Sequence, residues 1–119
     1  MLNVKSNGGI KKLIETKDLT VTGRIVSGNV LDIKVDTYGP YRVVSASNNL
    51  KVALKANQET LINAPYDIKP IRNYGLYQNI RPNIVAYVSV NTSGEVKIIP
   101  YADVAAGTAI NFMIEFLSE

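Results

Sequence analysis

Asp32 and Asp36 are the two carboxylates in this sequence that are spaced as a pair. On an extended strand they share a face, but at about 3.3 Å per residue they stand about 13 Å apart, with Lys34 between them. Carboxyl pairs that cleave glycosidic bonds sit roughly 5–9.5 Å apart. Asp32, Lys34 and Asp36 therefore read as a solvated strand face, with a place in a shallow polar binding surface as the alternative. The chain has no histidine and no cysteine. That removes the commonest general base, the Ser-His dyad, the thiol nucleophile, thiolate metal sites and disulfides. Oxygen ligands for calcium exist, but without the clustered spacing of a calcium loop. Gly8-Gly9 lacks the preceding strand and the later Gly or Gly-Lys of a phosphate-binding loop. The expectation is a protein that is not an enzyme and carries no metal or other cofactor.

The tyrosines say more. Of seven, Tyr38, Tyr66, Tyr74, Tyr77 and Tyr101 stand in or beside stretches rich in Asn, Pro and Gly, where loops are expected. An exposed tyrosine offers a flat apolar face and one hydroxyl at low entropic cost, which suits contact with sugar rings or with another protein. The segment 73–82 gathers Tyr74, Tyr77, Asn79 and Arg81 within ten residues. It is read as a contact loop, with Tyr38 beside the Gly39-Pro40 turn as a neighbour. The structural alternative is that Leu76, Ile80 and one tyrosine fold inward to plug the end of a core, while Arg81 pairs with a carboxylate. A nucleic-acid surface would interleave aromatics and basic residues on strand faces. Only Tyr87 stands mid-strand, and a net charge of +3 is a weak attraction, so no nucleic-acid partner is expected. Asn91-Thr92-Ser93 matches a glycosylation triplet but lies where a hairpin turn needs such residues.

The elements that would position these residues are strands. The chain's 119 residues form one domain's worth of sequence, able to hide about two-thirds of its surface without covalent staples. Valine and isoleucine supply 13 residues each, which favours β structure. No apolar run approaches the roughly 18 residues of a spanning helix, and no signal-peptide pattern opens the chain. A soluble protein made in the cytoplasm is expected, without membrane insertion. Residues 1–18 hold Lys5, Lys11, Lys12 and Lys17, with Ile10, Leu13 and Ile14 at helical spacing. They predict an arm or one or two helical turns that attach the domain to a neighbour. From Leu19 the period is two. Strands are expected at 19–26, 30–36, 41–46, 50–56, 84–91, 95–99 and 108–117, with long loops over 57–83 and at most one edge strand near 66–72. The inner faces would hold Leu19, Val21 and Ile25, then Leu31, Ile33 and Val35, then Val52 and Leu54. Alternate residues of the last three strands, from Ile84 to Phe116, complete that core, while Val30 or Val44 could be lost to solvent. The prediction is an all-β, jelly-roll-like antiparallel sandwich of seven or eight strands over 19–119.

One stretch carries a resemblance. Ile80-Arg81-Pro82-Asn83 leads into the strand Ile84–Asn91. Ser93-Gly94-Glu95-Val96-Lys97-Ile98 then forms a hairpin arm, and Ala106-Gly107-Thr108-Ala109-Ile110 approaches the last strand. This third of the chain resembles the end of a bacteriophage fibre or baseplate receptor-binding domain. The resemblance implies a trimeric β-sandwich on a virion that binds host wall saccharide or surface protein without covalent chemistry. Self-association also follows from second strand faces too apolar for water, at Val85, Tyr87, Met113 and Leu117. The alternative function is a head fibre or capsid decoration protein, whose contacts are other viral subunits.

Overall fold

The structure is a computed structural model that describes residues 21–81 and 83–119, with the side chains of Val21 and Arg81 left aside. The expected arm over 1–18, and Leu19, lie outside the described residues. Among the described residues there are eight strands and no helix: β1 (Val21–Val26), β2 (Ile33–Tyr38), β3 (Tyr41–Asn49), β4 (Thr60–Asn63), β5 (Tyr74–Arg81), β6 (Ile84–Val90), β7 (Val96–Pro100) and β8 (Ala109–Leu117). They form two four-stranded antiparallel sheets in the order β1-β2-β3-β8 and β4-β7-β6-β5. The first sheet is the meander β1–β3 completed by β8 from the end of the chain, and the second holds the four consecutive strands β4 to β7, with β4 folded back beside β7. The all-β sandwich expected from the alternating pattern is present, and the chain crosses between its sheets at β3 to β4 and at β7 to β8.

The period-two pattern explains the packing. In β8 the residues alternate strictly, with Ile110, Phe112, Ile114 and Phe116 buried and Asn111, Met113, Glu115 and Leu117 exposed. Ile33 and Val35 from β2, Val44 and Ala46 from β3, Ala86, Val88 and Val90 from β6, and Val96 and Ile98 from β7 close the same core. Burying a side chain of this size contributes about 1.5–3 kcal/mol. Val44 is fully buried, and Val30 packs against the core from its edge. The two open flanks are tied by side chains. Asn63 donates from Nδ2 to the Ser27 carbonyl at 3.1 Å, bridging the β1 and β4 edges. Tyr74 rests against Phe116 across the β5 and β8 edges, ring centroids 5.6 Å apart.

Three expectations are corrected. The 50–56 segment is not a strand: Leu50 and Leu54 are buried, but only an isolated bridge from Leu54 to Val104 forms, and Val52 is 40% exposed. Ile25 is 63% exposed, because β1 meets β2 in a register that sets Ile25 beside the exposed Lys34, while Arg24 lies beside the buried Val35. Residues 57–83 are not all loop: β4 and β5 lie there, and 74–81 pairs with β6 along nearly its whole length. What remains irregular, 64–73, folds inward. Ile68, Pro65 and Pro70 are buried, and Ile71 N–H donates to the Leu117 carbonyl at 3.1 Å, covering the end of β8.

The β6–β7 turn shows how one residue type is imposed. Asn91 Oδ1 accepts from the N–H groups of Ser93 and Glu95 at 3.1 and 3.0 Å, and its Nδ2 donates to Glu95 Oε1 at 2.8 Å. Gly94 sits at φ +83°, where a Cβ would lie 2.3 Å from the Ile68 carbonyl oxygen. Gly107 shares the positive φ, +89°, but a Cβ there would meet nothing within 4 Å. Gly107→Ala should therefore show backbone strain alone, about 1 kcal/mol. Gly94→Ala adds a backbone clash and should lose more than about 2 kcal/mol. Urea unfolding of both variants checks this, and equal losses would contradict the packing described for the turn.

Candidate binding site

The fold distributes the tyrosines of interest over different surfaces. β5 is the edge of its sheet, and its residues alternate. Tyr74, Leu76 and Ile80 pack against the core, while Gly75, Tyr77 and Asn79 face solvent. The plugging role foreseen as the alternative thus falls to Tyr74, Leu76 and Ile80. Tyr74 also carries the Arg72 guanidinium over its ring at 5.3 Å. Tyr38 is on the other sheet, edge-on to Tyr41 at 6.3 Å. The Arg81 side chain lies outside the described residues, although its backbone pairs with Ile84. Of the five expected contact residues, the structure brings Tyr77 and Asn79 onto one outward face and leaves Tyr38 and Tyr74 elsewhere.

That face is built by cross-strand register. Tyr77 pairs with Tyr87, and Tyr87 with Ile99. One row further, Asn79 pairs with Val85, whose carbonyl accepts from the Tyr101 N–H at 3.0 Å. Tyr77 lies 5.0 Å from Tyr87 and 6.4 Å from Tyr101 between ring centroids, the second pair nearly parallel at 27°. Offset and tilted ring pairs at these separations contribute about 0.5–1.5 kcal/mol beyond burial, so the cluster holds its own shape. Tyr77 is 70% exposed at its crest. Gly75 makes room for this arrangement: a Cβ there would stand 2.1 Å from the Tyr87 hydroxyl oxygen. Beyond the tyrosines the face becomes polar, with Lys97 between Glu59 and Glu95 at 3.4 Å from each. Both carboxylates hold the Lys97 ammonium in its charged form and push its pKa up.

No known protein family and no curated protein matches the chain. The site is accordingly read from its own geometry. The Asp32 and Asp36 pair does not converge. Asp32 accepts from the Lys51 ammonium at 2.8 Å and the Gly28 N–H at 3.1 Å, and these two bonds, the lysine's first, hold its carboxyl below the usual range. It braces the β1–β2 loop. Asp36 lies on the outer face of β2 with Lys34 at 3.7 Å. Tyr87 and Tyr101 were not expected in the site. From Arg81 opposite Ile84, unbroken counting would pair 77 with 88; an irregularity between Asn79 and Arg81 shifts the register by one and sets Tyr77 opposite Tyr87, which the sequence does not announce.

Partial burial, and then the neighbouring Tyr77 and Tyr87 hydroxyls, push the Tyr101 phenol up from its ordinary value. A raised phenol pKa means the folded state holds its proton longer than the unfolded chain does. The associated stability is present below about pH 10 and is lost as pH rises through the folded value. Alkaline titration followed by tyrosinate absorbance should show late-ionising tyrosine, and Tyr77→Phe should move part of it earlier. An unchanged titration curve in that variant would mean that the two hydroxyls do not interact.

Proposed function

We propose that this chain is a non-enzymatic attachment domain of a bacteriophage particle that grips host surface saccharide or protein through the face of Tyr77, Tyr87 and Tyr101. The observation that carries this reading is a self-supporting group of three tyrosines directed away from the core, with Tyr77 70% exposed. Rings set on paired strands lose little freedom on binding, and their flat faces match the apolar faces of sugars. Asn79 stands exposed on the same face. The lack of histidine and cysteine supports a binding role over catalysis. The resemblance over 80–110 supports the virion setting and, with it, a homotrimer anchored to other virion proteins by the N-terminal segment.

A specific observation favours a second reading, a structural part of the particle that contacts other viral subunits. Ile25 and Leu117 are exposed on the outer face of the other sheet, and Leu61 on the tyrosine-bearing one. Apolar groups so placed suit protein contacts.

Pull-down on purified host cell wall separates the two. An attachment domain binds wall, and at a temperature where the variant is still folded Tyr77→Ala should weaken that binding at least about fivefold, about 1 kcal/mol, while the lost ring contacts lower the thermal midpoint by only several degrees. Gly75→Ala, which displaces Tyr87 from beneath the cluster, should weaken it as well. Retention on capsids with no affinity for wall would assign the chain to the structural role.

A further inference from the structure

The opposite face of the sandwich holds a groove that the attachment reading does not use. Its floor is Val43, which points outward from β3 yet is only 9% exposed. Asp36, Val43 and Glu115 form one row across β2, β3 and β8. With strands about 4.8 Å apart, the row sets one carboxylate on each side of the valine. Tyr38 and Tyr41, edge to face, wall one end, and Met113, 55% exposed, stands at the other. These six residues line an open groove of about 440 Å³.

We propose that this groove is a binding site for a small quaternary alkylammonium group. Two acids and no basic residue line the groove; the Lys34 ammonium stands 3.7 Å from Asp36, so the attraction for a cation rests chiefly on Glu115. Independently of charge, tyrosine faces attract a cation through the ring quadrupole, most strongly a weakly hydrated one. The bonding state of the acids selects the kind of cation. Glu115 already accepts the Tyr41 hydroxyl, and the Asp36 side chain, 17% exposed, sits 3.7 Å from the Lys34 ammonium. Glu115, bonded to a neutral hydroxyl, supplies negative potential more readily than a free hydrogen-bond acceptor. A primary ammonium carries three N–H donors that need acceptors, whereas a methylated one needs only potential and apolar contact. Val43, Met113 and the two rings supply that contact.

Titration of the full chain with tetramethylammonium chloride, followed by NMR of the Met113 and Val43 methyl groups, tests the site, with methylammonium chloride as the matched control. Saturable shifts are expected with tetramethylammonium, at least about fivefold tighter than with methylammonium. Glu115→Gln and Tyr38→Leu should each weaken binding about fivefold or more, and Tyr77→Ala, on the other face, should leave it unchanged. Glu115 is exposed, so its variant keeps the fold even if Tyr38→Leu does not. No saturation up to about 100 mM, or equal response to both salts, would overturn the proposal. So would methyl shifts that follow protein concentration instead of the added salt, which would make the groove a contact between copies of the chain. None of these outcomes bears on binding to cell wall by the tyrosine face.

Discussion

The ladder between β3 and β8 is the constraint on which the rest of this structure depends. It pairs nine residues in continuous register, from Tyr41 with Leu117 to Asn49 with Ala109. It also joins parts of the chain some sixty to seventy-six positions apart. Without β8 the first sheet has no lid at its open edge, and the core loses Ile110, Phe112, Ile114 and Phe116 together. Closing so long a loop costs entropy before any contact is gained, so this pairing belongs to the cooperative end of folding. The same strand carries Met113 and Glu115 outward and presents Phe116 to Tyr74 on the facing sheet. Both outer faces are thereby referred to one ladder.

The two crossings between the sheets, β3 to β4 and β7 to β8, have a second effect. Each of β4 and β8 follows directly on a strand of the other sheet, so the sheets cannot separate without straining both connections. The connecting segments are anchored accordingly. Leu50 N–H donates to the Thr108 carbonyl at 2.9 Å, and Gly107 N–H to the Leu50 carbonyl at 2.8 Å. Leu54 and Val104 exchange N–H donors at 2.8 and 2.9 Å. Two long loops at one end of the sandwich thus satisfy each other's backbone, which buried loop segments require.

Legibility followed the strength of the alternation. The β6–β7 hairpin is written twice, in Ala86, Val88 and Val90 against Val96 and Ile98, and in the Asn91–Gly94 turn. β5 also alternates, but its outward positions include Gly75 and Asn79, residues that elsewhere signal turns, and prolines flank it on both sides. An edge strand paired on one side tolerates such residues, since it needs fewer packed side chains than a central one. Leu50, Val52 and Leu54 alternate equally well, yet the strand they suggest has no partner ladder. Pairing is a tertiary fact that local pattern does not contain. Alternation alone places Ile25 on the wrong face for a related reason. β1 has apolar residues on both faces, and Arg24 turns inward because Asp67 and the Tyr66 ring, 5.7 Å from its guanidinium, receive it. The tyrosine site was half legible. Tyr77 and Asn79 stood out by type, whereas Tyr87 and Tyr101 join them only through register.

A flat tyrosine face sets its own limit on affinity. It excludes water from one side of a ligand, where an enclosed pocket would bury 70–90% of a drug-sized ligand's surface. Stacking contacts of this kind are worth about 1 kcal/mol each, so a single copy of such a face holds a saccharide only weakly. Rigid placement on β5, on β6 and directly after β7 reduces the entropic loss but adds no contact area. Strong adhesion through this surface then has to come from copy number. Linked copies that meet a repeating surface convert each later contact into an intramolecular one, raising overall strength by about 100-fold or more without any new contact. The physical demand that the proposed attachment places on the protein is therefore several tyrosine faces held on one particle, each exposed and spaced to reach the same surface.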